Sequence, residues 1–367
     1  MKKKFFGCVV VLGLMTLLFP VMAYCADERA ASPAVLMAQA VPRASAAPKL
    51  PIHDANLLGM KPTVPKKAYT VGVLVPALRD PHWVNESYGC YDEGQRWGLK
   101  VILFEAGGYA NLEKQISQME DLVQRKVDGI ILAPVNYEGT APVVDETVKK
   151  GIPVINANNI TKSDKIMAIV RNSDLEIGGV LAERVGEQLK GKGNVVMLSG
   201  PAGASWSMLR AEGFKKKLAE KYPGIKILAE RWHDSDRAAA MKVMEDYMQT
   251  FPNIDYAYSP GDLVGQGAAS AVQAAGKKGK IRVVSASFSP TAKKMVEEGL
   301  IDYYAGQQAL LIGRWAMQTM IKILNGETVP KPPKEITVPI SRVTKENVAN
   351  IDTSTEWAPA GWTPPRL

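Results

Sequence analysis

Cysteine and histidine are scarce in this chain, with three of each among 367 residues, and that scarcity excludes several chemistries. Cys8 and Cys25 lie near the N-terminus and only Cys90 lies in the body of the sequence, so neither a disulfide framework nor a cysteine metal site is available there. His53, His82 and His233 share no metal spacing such as H-E-x-x-H, which argues against zinc chemistry. Nucleotide motifs are missing as well. The turn "SGPAGAS" follows an apolar run, yet no G-K-S/T follows it, and neither it nor "AGGY" completes G-x-G-x-x-G. There is no G-x-S-x-G elbow, and a serine nucleophile would need a positioned histidine. The chain therefore reads as a non-enzyme with no catalytic residue, no metal and no cofactor. Charged residues make up 22 % and the net charge is +8, but Lys2, Lys3 and Lys4 supply three of those charges. The remainder is only mildly basic, so nucleic acid is a poor default partner.

Long apolar runs are also few. The one that stands out, Phe5 to Val21, follows the three lysines and precedes small residues near Ala23. That is the order of a secretory signal peptide, expected over residues 1–26 with export to the periplasm. The run is short for a membrane span, and the polar chain beyond it offers no second anchor. Residues 27–67 are rich in Ala, Pro and Ser without a period of two or 3.6, which predicts a flexible leader.

Beyond Lys67 short β-branched runs alternate with amphipathic segments. "YTVGVLVPA", "LKVILFEAG", "VDGIILAPV" and "IPVINANN" are continuous apolar strands, and "NLEKQISQMEDLVQRK" places Leu112, Ile116, Met119 and Val123 on one helical face. Such strands suit parallel sheets covered by helices on both sides. A second series runs from "KIMAIV" through "GNVVMLSGP", "IDYAYSP" and "IRVVSASFS" to "IDYYAGQQ", so two similar α/β lobes are expected. In open α/β sheets ligands sit beyond the carboxyl ends of the strands. The residues at those exits include Asp80, His82 and Trp83, then Tyr109, Asn136, Asn158 and Asn159, and next Asn172 and Asp174. In the second series they include Trp206 and Arg210, Trp232, His233 and Asp234, Gly261 and Asp262, Ser287 and Phe288, and Gln307. Rings mixed with hydrogen-bonding groups are what a solute cleft needs.

Each candidate also has a structural alternative. Trp83 either stacks on a ligand or packs under the first helix, and Asp80 either meets a ligand or caps that helix. Arg210 is a multi-donor clamp or a solvated charge. Trp206 and Trp232 are core or cleft, and Asp262 could cap the helix that follows it.

The stretches "VGVLVPALRDPHW", "DGIILAPVN", "KKGIPVINANN", "RNSDLEIGGVLAE", "VVMLSGPAGASWSMLRAEGF" and "GQQALLIGRWAMQTMIKILNGE" together resemble the type I periplasmic binding proteins of the ribose-binding group, from about Tyr69 to Val343. The resemblance implies two Rossmann-like lobes, each a parallel sheet flanked by helices, joined by a three-segment hinge and closing like a clamp. The crossings would fall near Asn172 to Asp174, near Gln307 and near Thr337 to Pro339. The lobes would then be 68–172 plus 308–336 and 173–307 plus 337–350, with a C-terminal tail over 351–367. Sugar binders of the group carry an Asn-Asp pair after the "YSP" strand and an Asp after the "VVS" strand. Here those positions read Gly261-Asp262 and Ser287, while the helix arginine is matched by Arg210.

A further resemblance is to the TorT-like branch, periplasmic sensors of trimethylamine N-oxide that signal to a TorS-type membrane histidine kinase. It rests on "PALRDPHWVNESYGCYDEGQRWGLKVILFEAGGYANLEKQ", the "HDSD" turn and "PAGWTP". It implies an aromatic cage whose acid, ring and tryptophan are Asp80, His82 and Trp83, with histidine for tyrosine. The second cage ring is replaced by Asn172-Ser173-Asp174, and Phe288 is the candidate third. A carboxylate gained at Asp174 would favour a more cationic or more hydrogen-bonding solute than the N-oxide. The first expectation is thus a kinase-coupled receptor, and the second is the substrate-binding subunit of an ABC importer, working with its permease on a sugar or polyol.

Overall fold

The computed structural model describes residues 57, 60–327 and 334–365. The expected signal peptide and most of the expected leader lie outside the described residues.

The apolar runs form strands. First come β1 (Thr70–Val75), α1 (Pro81–Arg96), β2 (Lys100–Glu105), α2 (Leu112–Gln124), β3 (Gly129–Leu132), α3 (Ala141–Lys149), β4 (Val154–Ala157) and β5 (Ala168–Arg171). The second series is α4 (Asp174–Gln188), β6 (Lys192–Leu198), α5 (Ser205–Lys221), β7 (Gly224–Arg231), α6 (Arg237–Thr250), β8 (Tyr256–Tyr258), α7 (Asp262–Ala274), β9 (Arg282–Ala286), α8 (Pro290–Glu297) and β10 (Tyr303–Gly306). α9 (Ala309–Leu324), β11 (Lys334–Thr337) and β12 (Ser341–Val343) follow.

Two six-stranded sheets result, ordered β11-β5-β4-β3-β1-β2 and β12-β10-β9-β8-β6-β7. Pairing is parallel except between β10 and β12. β1 lies inside the first sheet, with Val73 opposite Leu103 on one side and Ile131 on the other, and helices cover both faces. That double burial is why its sequence is unbroken apolar rather than alternating. The chain crosses between sheets three times, after β5, after β10 and after β11. This is the two-lobed type I periplasmic binding protein fold.

Glycine sets how the helices pack beside the cleft. α1 and α9 touch backbone to backbone: a Cβ on Gly89 would lie 2.1 Å from the Leu310 carbonyl oxygen, and one on Gly313 would lie 2.1 Å from that of Glu86. α4 and α5 repeat the device in the second lobe, with Gly178 facing the Arg210 carbonyl and Gly213 that of Leu175. Only a residue without Cβ permits such an approach. These two crossings fix the N-termini of α1 and α5, which carry cleft residues.

The flexible leader requires a correction at its C-terminal end. Leu57 is buried in the first-lobe core, and its carbonyl accepts from Trp315 Nε1 at 2.9 Å. Thr63 N–H donates to Gln318 Oε1, Lys66 N–H donates to Asn325 Oδ1, and Asn325 Nδ2 donates to the Val64 carbonyl. The segment lies along α9 because polar side chains of that helix satisfy its backbone. The tail is docked too. Ala358 N–H donates to Asn85 Oδ1 in the first lobe, Trp357 Nε1 donates to the Phe288 carbonyl in the second, and Trp362 packs edge-on against Tyr88 at 5.2 Å.

Candidate functional site

The carboxyl ends of both sheets converge on a small, partly open cavity between the lobes. The first-lobe wall comes from the β1–α1 junction. Asp80 caps α1, its Oδ1 accepting from the His82 N–H at 3.0 Å, and Pro81 occupies the first turn, where no amide donor is needed. The capped turn aims Asp80, His82 and Trp83 into the cavity, where Tyr109 after β2 and Asn158 after β4 join them. Trp83 is both core and wall: it is buried in the first-lobe cluster and lines the cavity.

From the second lobe come Trp206 and Arg210 of α5, Ser235 after β7, Gly261 and Asp262 after β8, and Ser287 after β9, while Gln307 enters from a crossing. Asn158 and Ser287 hold φ values of 57° and 67°, the left-handed region that non-glycine residues rarely occupy. Ser287 Oγ donates to Gln307 Oε1, and Gln307 Nε2 donates to Asn158 Oδ1 at 3.1 Å, so hydrogen bonds across the hinge hold these backbones.

Charge in the cavity is dominated by two acids. Burial pushes the Asp80 carboxyl up to about 7, with repulsion from Asp262 adding to it. Burial likewise raises Asp262 to about 6, against hydrogen bonds from Ser289, Gln266 and Tyr304. Tyr304 Oη donates to its Oδ1 at 3.0 Å and Gln266 Nε2 to its Oδ2 at 2.8 Å. Asp80 Oδ2 makes no such bond among the described residues. His82 is pulled down to about 3 by burial and by Arg210, so it is neutral across the physiological range. Arg210 donates from Nε to Asp174 Oδ1 at 2.8 Å and from Nη1 to the Pro260 carbonyl at 2.6 Å, with its guanidinium 5.0 Å from the Trp206 ring centroid. Among the described residues its Nη2 has no such partner and is left for the cavity.

The lobes meet around this space. Tyr137 N–H donates to the Gly203 carbonyl at 2.9 Å, Ile160 N–H donates to Ser205 Oγ at 3.0 Å, and Arg79 Nη2 lies 3.5 Å from Asp234 Oδ2. Each joins a first-lobe group to a second-lobe group, so the structure describes a closed clamp. Among the described residues no cluster of His, Cys, Asp or Glu could hold a metal ion.

Several of the strand-exit candidates, among them Asn159, His233 and Asp234, stand outside this cavity. Asn136 turns back on its own loop, its Oδ1 accepting from the Gly139 N–H at 2.8 Å. Asn172 donates to the Val338 and Pro339 carbonyls and so ties two crossings together. Asp174 adds no net charge to the cleft: it is buried between Arg210 and Arg171, which corrects the expectation of a cation-seeking carboxylate there. Trp232 is 38 % exposed and outside the cavity. Phe288 packs against Tyr304 and Trp357, behind the cavity rather than as its third ring. The third ring is instead Trp206, 5.9 Å from Tyr109. Ser235 was not anticipated, although it lies in the same "HDSD" turn as His233 and Asp234.

Behind His82 lies a second, smaller cavity, lined also by Asn85, Phe288, Ser289 and Glu356 of the tail. Burial raises the Glu356 carboxyl to about 7.

The chain matches the family described as periplasmic binding protein domain over residues 71–328. It is 27 % identical over 266 residues to the ribose import binding protein RbsB of Bacillus subtilis (strain 168), covering 72 % of this chain and 85 % of that protein. It is 25 % identical over 321 residues to the periplasmic protein TorT of Escherichia coli (strain K12), covering 85 % and 89 %. Among solved structures it is similar to the substrate-binding protein of a sugar ABC transport system from Bordetella parapertussis 12822, with a TM-score of 0.80, 28 % identity and coverage of 84 % and 100 %.

Proposed function

The chain belongs to the periplasmic binding protein family, and from that premise we propose that it is the substrate-binding subunit of an ABC importer that closes on a sugar or polyol. The ribose relative and the sugar-transport structure are named for solutes they bind, not for reactions they catalyse, and the chain is likewise a binding protein and not an enzyme. The observation that carries the reading is the composition of the cavity wall. Two carboxylates, a guanidinium amino group without a partner among the described residues, and the amides of Asn158 and Gln307 surround a cleft walled by Trp83, Tyr109 and Trp206. A small ring or chain with a hydroxyl on every carbon matches acceptors and donors on several sides while its C–H faces lie on indole and phenol rings. The protein acts in the periplasm, and its partner is the importer's permease. We assign 68–172 plus 308–336 to one lobe and 173–307 plus 337–350 to the other.

A sensor reading stands second. The similarity to TorT spans more of the chain than the alignment with the ribose protein. In that reading the ligand is trimethylamine N-oxide and the partner a TorS-type kinase. Titration calorimetry of the exported protein against D-ribose, other pentoses and hexoses, linear polyols and trimethylamine N-oxide separates the two. Binding of a polyhydroxylated solute at micromolar or lower Kd is expected, and tight binding of the N-oxide alone would replace the importer reading by the sensor.

A further inference from the structure

At the start of α1 two buried polar atoms have only each other. His82 Nε2 lies 3.3 Å from Glu86 Oε2 one turn along the helix, with side chains 6 % and 2 % exposed. Neither atom has a hydrogen-bond partner among the described residues. Two lone pairs facing one another in a dry interior would leave both unsatisfied, so a proton lies between them.

Three arrangements supply that proton. A carboxylate accepting from neutral imidazole buries an uncompensated negative charge, and among the described residues no Lys or Arg pairs with Glu86. An imidazolium–carboxylate pair buries two charges, with the imidazolium in the repulsive field of Arg210 from α5. A carboxylic acid donating to Nε2 buries none. The surroundings favour the last. Burial pushes Glu86 well above the carboxylate range, and Cys90 on the next turn is a buried thiol that is itself pushed up. The other ionisable groups that share a cavity with His82 are the carboxyls of Asp80 and Glu356, both raised to about 7, that of Asp262, raised to about 6, and the phenol of Tyr109, which burial raises.

With Nε2 as acceptor, the single ring proton of neutral His82 sits on Nδ1. Nδ1 makes no hydrogen bond among the described residues, and His82 lines both cavities. We propose that Glu86 is a positioning residue: holding the shared proton, it fixes His82 in the Nδ1–H form, which presents a donor to a ligand oxygen beside the acceptor Asp80. This rests on the cleft being the binding site of an oxygen-rich solute.

Long-range proton–nitrogen NMR of the full exported chain tests the positioning role without any ligand, because only three histidines contribute and His82→Asn identifies the signal. The expected result is a single Nδ1–H tautomer that does not titrate between pH 5 and 8. In Glu86→Leu the Nδ1–H form falls from the dominant species to the minor one. An Nε2–H tautomer in the wild type, a titration within that range, or an unchanged tautomer in Glu86→Leu would overturn the role. With D-ribose as the probe, the Nδ1–H proton shifts downfield on binding, and calorimetric binding without that shift would overturn the contact. A protein that binds none of the solutes fails the proposed function, while the tautomer still decides the role of Glu86.

Discussion

Arg210 and Asp174 form a buried ion pair, Nε to Oδ1 at 2.8 Å, that ties the second turn of α5 to the first residue of α4. The pair explains why a charged residue can line the cavity yet keep one orientation. Nε and Nη1 are held by Asp174 and the Pro260 carbonyl, and the face of the guanidinium lies near Trp206. Removing the acid leaves a buried cation uncompensated, which typically costs about 3–5 kcal/mol. Asp174→Ala is therefore expected to lower the urea midpoint by that equivalent. A loss below about 1 kcal/mol would show that water replaces the carboxylate.

Much of the architecture was legible because its cause is local. Strands buried on both faces must be continuously apolar, and most residues just after them face the cleft, so eleven of the twelve cavity residues lie in the strand exits read from the sequence. What was not legible depends on partners far away in sequence. Asp174 looks like a free carboxylate until Arg210, 36 positions on, is seen to hold it. Phe288 looks like a cage ring until Trp357, 69 positions on, covers it. The docked end of the leader has no apolar period at all, since it is held by side chains of α9 more than 250 positions away.

Asp80 gives a prediction in which stability and binding move oppositely. Its carboxyl is raised from 3.8 to about 7 by burial, so the folded protein holds this proton more tightly than the unfolded chain does. Stability from this group is accordingly lost as pH rises from about 4 to 7, and the full penalty is present at pH 8. Asn retains the helix cap and carries no charge. Ligand-free Asp80→Asn is expected to be more stable than wild type at pH 8 by on the order of 4 kcal/mol, and equal to it near pH 4, in paired urea titrations. Affinity for a hydroxylated ligand falls at least tenfold in the same variant, because an ionised acceptor is lost. A variant that binds as tightly as wild type would place the ligand away from Asp80.

Ser205 offers a test of closure separate from the ligand contacts. Its Oγ accepts the Ile160 N–H across the lobes, and that amide can reach water once the clamp opens. Ser205→Ala thus destabilises the closed state selectively, by about 1–2 kcal/mol for a stranded amide. Titration calorimetry should show affinity lower by roughly 5- to 30-fold, with the thermal midpoint of the ligand-free protein changed by less than about 2 °C. An equal loss in the ligand-free midpoint would mean that the bond supports the fold, not the closure.

Asn325, the C-cap of α9, is buried and bonds the incoming chain on three sides: Oδ1 accepts from the Lys66 N–H and the Tyr69 hydroxyl, and Nδ2 donates to the Val64 carbonyl. No other single side chain makes as many of the described bonds to residues 57–69. Asn325→Ala strands two backbone groups, while the Tyr69 hydroxyl keeps the Leu324 carbonyl at 2.9 Å, with an expected loss of about 2 kcal/mol when partial access to water is allowed for. The segment should then detach locally before the lobes unfold, since few apolar contacts beyond Leu57 hold it. Limited proteolysis reads this directly: wild type should resist cleavage between residues 60 and 67 under native conditions, whereas the variant is cut there while the cleft still binds ligand. Rapid cleavage of the wild type at those bonds would restore the flexible leader read from composition and remove Asn325 from the account of its docking.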